Sequence, residues 1–299
     1  LNVLKDIHHY ATTGEEVHGE DIDRFKWYGL YTQNKNMQKD EDETLYFMLR
    51  IRIVQGSINL EQLRMLSAIS KEFARNTANF TTRQSVQLHF IQVRDLPEIF
   101  DRLKSVGLST VYAAGDVPRN IVTCPVAGID EHDLYDVREL VAEVNAYFDG
   151  NKDLENLPRK YKVGISGCAK HCMGHEIQDL SFSATKLEDG RVLFDVCVGG
   201  GLASNKQFSM HIGFAEASQI LDVVKIVSAL YRDHGIRDNR RKARLGHLIT
   251  KWGLEKFKEE VETGLGYTLQ DATRNDFTPY AKREHFGVHT SKMDGISYI

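Results

Sequence analysis

The chain has 299 residues, 41% apolar and 27% charged, with 5 prolines. This composition excludes disordered and collagen-like chains, and at roughly 150 residues per domain it predicts two domains. Thirty-eight basic against 42 acidic residues leave a net charge of −4, which argues against a nucleic-acid partner.

The first 25 residues are polar and acidic, unlike a signal peptide, and no apolar run approaches the roughly 18 residues of a membrane span. No membrane partner is expected. The four cysteines, Cys124, Cys168, Cys172 and Cys197, are too few for a disulfide framework; they fit a reducing compartment and a cytoplasmic location. Residues 1–43 show weak periodicity and end in the acidic run Asp40-Glu41-Asp42-Glu43, and are read as an arm followed by a solvated loop.

From Thr44 to Val54 the residues alternate, with Phe47, Leu49, Ile51 and Ile53 on one strand face and Tyr46, Met48, Arg50 and Arg52 on the other. Leu60, Leu63, Leu66, Ile69 and Phe73 then recur at helical spacing behind Asn59 and Gln62, which resemble a capping box. A strand over Ser85 to Val93 sets Gln87 and His89 against Val86, Leu88 and Phe90. Asp95 and Glu98 predict a capped helix ending at Gly107, and a strand is expected around Ser109 to Ala113. Strand, helix, strand, helix, strand is the order of a ferredoxin-like α+β unit, here assigned to 44–115.

Beyond the loop from Gly115 to Gly128, Leu134, Val137, Val141, Val144 and Phe148 mark an amphipathic helix. A strand over Lys160 to Ile165 enters Ser-Gly-Cys-Ala-Lys-His-Cys, another covers Val192 to Val198, and helices follow near 215–232 and 252–263. The second unit, 116–280, is therefore mixed α/β. Residues 281–299 are read as the start of a linker or strand towards a second half.

Four constellations carry chemistry. Arg50 and Arg52 share a strand face, with Arg83 at the start of another strand and Arg119 in a loop; clustered guanidinium forks suit a small oxyanion or cofactor carboxylates, or form a solvated face. Lys160 and Lys162 flank Tyr161 on one face, where neighbouring ammonium groups repel, become usable proton donors, or simply face solvent. Cys168 and Cys172 with His171 and His175 could hold zinc or an iron–sulfur cluster, although four ligands within eight residues strain a tetrahedral site. Arg237, Arg240, Arg241 and Arg244 are expected on one helical stripe suited to carboxylates.

Together the segments Phe25-Lys26-Trp27-Tyr28-Gly29-Leu30, Met48-Leu49-Arg50-Ile51-Arg52-Ile53, Thr81-Thr82-Arg83-Gln84-Ser85-Val86-Gln87-Leu88-His89, Pro118-Arg119-Asn120-Ile121, Leu157-Pro158-Arg159-Lys160-Tyr161-Lys162, Gly199-Gly200-Gly201-Leu202 and Phe286-Gly287-Val288-His289 resemble the sirohaem-dependent sulfite and nitrite reductases. The resemblance follows the family's order and covers nearly everything after residue 20. It implies an α+β chain: a ferredoxin-like domain followed by a mixed α/β sirohaem-reductase domain, forming the N-terminal half of a pseudo-twofold enzyme. Six-electron reduction of sulfite to sulfide, or of nitrite to ammonia, is implied, with ferredoxin or a flavoprotein as electron donor. The isolated half is expected to be inactive.

The implied cofactors are sirohaem and a 4Fe–4S cluster whose ligands belong mainly to the second half. Asp130 occupies the place where a partner to Cys124 would fall, so the cluster is not carried onto Cys168 and Cys172, which remain metal candidates only. By position, Arg50, Arg119, Lys160 and Lys162 are implied to surround the substrate anion; Arg83, Gln87, His89 and Arg244 are implied to touch the macrocycle or its carboxylates. Asn79 departs from the family, where a haem-carboxylate arginine is common. Lys162 leans towards sulfite. The alternative is a non-catalytic module binding zinc or iron–sulfur through Cys168, His171, Cys172 and His175.

Overall fold

The computed structural model describes residues 3–39, 41–168, 170, 172–187, 189–202, 206–271 and 285–299. They form two compact units, Leu1–Asn120 and Ile121–Ile299, so the boundary falls a few residues beyond the expected 115/116.

The first unit contains α1 (Val3–Thr13), α2 (Gly19–Phe25), β1 (Leu30–Thr32), β2 (Phe47–Arg52), α3 (Leu60–Phe73), β3 (Asn79–Phe80), β4 (Ser85–Ile91) and α4 (Leu96–Ser105). Its strands form an antiparallel sheet in the order β1-β2-β4-β3. Leu49, Ile51, Val86 and Leu88 turn one face of this sheet into a core shared with Leu66 and Ile69 of α3 and Ile99 and Leu103 of α4. Asn59 and Gln62 form the expected capping box on α3.

Four expectations change here. Residues 3–32 are no arm: Ile7, Phe25 and Leu30 are fully buried in the same core, because the short helices and β1 offer one apolar face each. Asp95 sits in a helical turn and does not cap α4, since its own backbone is already helical. Only Ser109 bridges to Arg52; from Thr110 to Ala113 the chain turns, with Tyr112 at φ 55°. Phe90 leaves the core face. A β-bulge places His89 and Phe90 between the pairs Leu49–Leu88 and Phe47–Ile91, so Ile91 takes the apolar position. Phe90, at φ 62°, donates its N–H to Gln33 Oε1 at 2.7 Å and lies under the Arg75 guanidinium.

The second unit contains α5 (Arg138–Phe148), β5 (Val163–Ser166), β6 (Leu180–Lys186), β7 (Val192–Val198), the short pair β8 (Gly201–Leu202) and β9 (Lys206–Gln207), β10 (Met210–Ala215), α6 (Ile220–His234), α7 (Leu245–Trp252), α8 (Leu254–Leu265), β11 (His289–Thr290) and β12 (Ser297–Tyr298). Its main sheet runs β10-β7-β6-β5, with β5 parallel to β6 and the other pairs antiparallel. Phe182, Ala184, Phe194 and Val196 build the core together with Val141, Val144 and Phe148 of α5 and Val223, Val227 and Tyr231 of α6.

Strands β6 and β10 were not among the expected elements, although Leu-Ser-Phe-Ser-Ala-Thr in β6 alternates cleanly. Ser181, Ser183 and Thr185 of β6 and Asp195 and Cys197 of β7, on the sheet's opposite face, are buried as well. The helix over Leu134–Phe148 begins only at Arg138. The arginine stripe is not helical: Arg240–Lys242 form one 3-10 turn and Arg244 stands, with extended backbone, just before α7. Residues 281–284 lie outside the described residues; residues 289–298 form a hairpin that returns to the unit, where Ser291 bridges Asp130.

Replacing Leu88, which is completely buried, by alanine should lower stability by about 2–5 kcal/mol, whereas Phe80→Ala at a 72% exposed position should stay within about 0.5 kcal/mol. Urea denaturation followed by circular dichroism measures both.

Candidate functional site

The polar face of the first unit's sheet is built by register. Arg50 stands opposite Gln87, and Gln87 opposite Asn79, so the three form a row across β2, β4 and β3. His89 joins them, its Nε2 3.2 Å from Asn79 Nδ2. Burial lowers the His89 pKa and keeps the imidazole neutral, and its Nδ1 is a buried atom with no hydrogen-bond partner among the described residues. Arg83 lies half-buried in the turn that leads into β4. Arg50, Gln87, His89 and Arg83 thus belong to one strand pair and its turn, as the alternation predicted for all but Arg83.

Arg50 and Arg119 meet. The Arg119 guanidinium, buried in the first unit, donates to Gly115 O at 2.7 Å, to Ala113 O at 3.3 Å and to the Tyr31 hydroxyl at 2.9 Å. Arg50 Nη1 donates to the same Ala113 carbonyl at 3.3 Å, and its guanidinium carbon lies 5.5 Å from the Tyr31 ring centre. Arg52 donates to Val111 O at 3.4 Å. The carbonyls of the turning segment are therefore satisfied by arginines instead of a strand ladder. Gly29 lets β2 pass: at φ +80° it lies so close that an added Cβ would stand 2.5 Å from Arg50 O.

Burial pushes the Arg119 guanidinium below its usual range, Tyr31 draws it back up, and Arg50 adds to the lowering. For Tyr31, burial acts to raise the phenol, but Arg119, Gly115 and Arg50 outweigh it and its pKa falls below the ordinary value. Two cations around one phenol in a half-buried setting form a local positive field suited to a small anion. Tyr31 was not singled out from sequence; its signal is its alternate position on β1, next to the Trp27-Tyr28-Gly29-Leu30 segment.

In the second unit Tyr161, Val163 and Ile165 are fully buried, while Lys160 and Lys162 are half-buried, as the alternation predicted. The Lys162 backbone is fixed by Asp179: its N–H donates to Asp179 Oδ2 at 2.8 Å, and its carbonyl accepts from the Asp179 N–H at 3.0 Å. Arg244 closes the arrangement with two bonds to the same carboxylate, Nε to Oδ1 at 2.9 Å and Nη2 to Oδ2 at 2.7 Å. Burial works against the Arg244 charge, but Asp179 overcomes it and raises the pKa. Arg244, expected from the resemblance as a cofactor-carboxylate ligand, thus holds a buried aspartate of its own chain through Nε and Nη2. Asp179 escaped sequence reading because nothing local marks its partner 65 residues away.

The cysteines also regroup. Cys124, Cys172 and His285 bring their donor atoms within 4.8 Å of one another. The Cys168 thiol hydrogen-bonds to Cys172 and is pushed up by that bond and by burial. Cys172 is pushed up to about 11, chiefly by its hydrogen bond to Cys124. His175, expected beside the cysteines, instead has Nδ1 3.7 Å from Glu176 and is not part of this group; His171 lies outside the described residues. Cys124, which was not among the metal candidates expected from sequence, is a member. A second group joins Asp195, Cys197 and His211, with His211 Nδ1 2.5 Å from Asp195 Oδ1.

Two outcomes follow from this geometry. Asp179→Ala should cost about 3–5 kcal/mol, because it strands the buried Arg244 charge, as chemical denaturation would register. Tyr31→Phe should cost about 1 kcal/mol near neutral pH, since Arg119 keeps its carbonyl bonds. Because the folded phenol releases its proton at lower pH than the unfolded one, the unfolded chain binds more protons as pH approaches about 10, and the Tyr31 contribution grows with rising pH. Stability of the two proteins compared from pH 7 to 10 should show a widening gap.

Comparison with known proteins matches this architecture. The model of the nitrite and sulphite reductase 4Fe-4S domain fits residues 114–269, and that of the nitrite/sulfite reductase ferredoxin-like half domain fits residues 38–106. A sulfite reductase [ferredoxin] of Mycolicibacterium paratuberculosis is 38% identical over 85% of this chain and 48% of its own length. A ferredoxin–nitrite reductase of Leptolyngbya laminosa is 36% identical over 100% of this chain and 59% of its own. The solved structure of Mycobacterium tuberculosis NirA superposes with a TM-score of 0.89 at 35% identity, covering 99% of this chain and 56% of that one. The chain spans about half the length of the curated relatives it matches. It belongs to the nitrite and sulphite reductase family, whose cofactors are sirohaem and a 4Fe–4S cluster.

Proposed function

We propose that this chain supplies anion-binding, proton-delivering and sirohaem-holding residues to an enzyme that reduces sulfite to sulfide by six electrons. The carrying observation is the Arg50–Tyr31–Arg119 arrangement, in which two guanidinium groups share the Ala113 carbonyl and are held in place before any ligand arrives. The ferredoxin named in the relatives makes ferredoxin, over a flavoprotein, the proposed electron donor.

The residues present fit sirohaem. A macrocycle edged with carboxylates calls for cations and hydrogen-bonding groups on a flat surface, and the row of Arg50, Gln87 and Asn79 with neighbouring His89 and Arg83 is such a surface. The partnerless buried Nδ1 of His89 also fits a face awaiting an added group. Arg83, Gln87 and His89 would hold the group; Arg244, whose Nε and Nη2 are given to Asp179, would add to it only through Nη1. Sirohaem, when bound, would pass to the anion the electrons that the ferredoxin donor provides.

The protein's own part is electrostatic and acid–base. Arg50 and Arg119 bind the oxyanion and polarise its oxygens. Lys160 and Lys162 deliver protons to oxygens leaving as water, and Asp179 holds the Lys162 backbone while they do so. Nitrite reduction to ammonia is the second reading, favoured by the ferredoxin–nitrite reductase of Leptolyngbya laminosa, whose match covers 100% of this chain. Lys162 supports sulfite.

The test uses the complete enzyme. Lys162→Met should cut turnover at least about 100-fold, the scale of a lost general acid, while haem absorbance stays unchanged. Unimpaired turnover would reject the assignment, and kcat/KM measured for sulfite and nitrite side by side decides between the two substrates.

A further inference from the structure

The family's 4Fe–4S cluster and this chain's cysteines do not fit each other. A four-iron cluster takes four thiolates, each on its own iron. Among the described residues three thiols meet, and the fourth cysteine, Cys197, belongs with Asp195 and His211. The donor spacing is also that of a single ion. Cys124 Sγ and Cys172 Sγ lie 3.5 and 3.4 Å from the same atom, His285 Nε2. Tetrahedral bonds of about 2.3 Å to sulfur and about 2.05 Å to nitrogen set a sulfur–nitrogen separation of about 3.5 Å.

We propose that Cys124, Cys172 and His285 bind one zinc-class divalent ion, with the Cys168 thiol beside Cys172 as the fourth donor at hand. Two thiolates and an imidazole form a borderline-soft donor set, which favours zinc over calcium or magnesium. The outer groups support the ligands. Tyr298 Oη lies 3.4 Å from His285 Nδ1, the position from which it fixes the ring so that Nε2 faces the sulfurs. The Cys172 thiol donates to the Lys170 carbonyl at 3.2 Å, and Ser166 Oγ lies 3.9 Å from Cys168 Sγ. The ion displaces the thiol protons on binding, and no redox step is involved.

This site is independent of the reductase reading: it would stand if Lys162 proved dispensable, and its failure leaves the arginine arrangement untouched. The test measures metal uptake by the 299-residue chain, reduced and metal-free, titrated with zinc and with cobalt as a spectroscopic substitute. One ion per chain is expected, with sulfur-to-cobalt charge-transfer absorption. Cys124→Ser, Cys172→Ser and His285→Ala should each weaken uptake at least tenfold, while His211→Ala leaves it unchanged. A chain with native circular dichroism that binds no zinc overturns the proposal. So does anaerobic reconstitution that loads four irons and four sulfides on these cysteines, or loss of uptake in His211→Ala.

Discussion

Arg119 donates its guanidinium to backbone carbonyls and a phenol within the first unit, and the polar face is organised by that choice. A segment that turns from Thr110 to Gly115 leaves carbonyls without strand partners, and unsatisfied buried carbonyls are costly. Arginine solves this because its five donors fan out in a plane. The same group that stabilises the loop is thereby immobilised next to Arg50. Charge repulsion between the two is tolerated since each is also tied to Ala113 O, and the tension leaves the site receptive to an anion.

The second unit uses one buried aspartate in a comparable way. Asp179 directly precedes β6, accepts from the Lys162 backbone and pairs with Arg244, which stands at the N-terminal boundary of α7. Strand β5, strand β6 and a distant helix are thus referenced to one carboxylate. Such a buried pair is weak as a source of net stability, yet costly to break from either side. Its effect is to fix the Lys162 backbone just before β5, which a surface ion pair could not do.

What was legible in the sequence follows from periodicity. The alternation of β2 and β4 placed Arg50, Gln87 and His89 correctly, and the Asn59–Gln62 box marked the start of α3. Phe90 was misplaced because a bulge adds one residue that no local pattern announces, and the Ser109–Ala113 strand failed because side chains took over its carbonyls. The arginines after Arg237 keep helical spacing without a helix, since Arg237 donates to Asn156 O and Arg232 O instead. The cysteine group needed a histidine 113 residues beyond Cys172. Spacing rules see ligands within one loop, and this set is assembled from three separate stretches of chain.

The hairpin of β11 and β12 has a geometric corollary. Lys292 N–H donates to Ile129 O at 2.9 Å and Ser291 bridges Asp130, so the stretch near residue 291 comes back to the one that opens the second unit. A pairing so distant along the chain carries a large loop-closure cost, so the hairpin is expected to dock late in folding, after the strands and helices between have condensed.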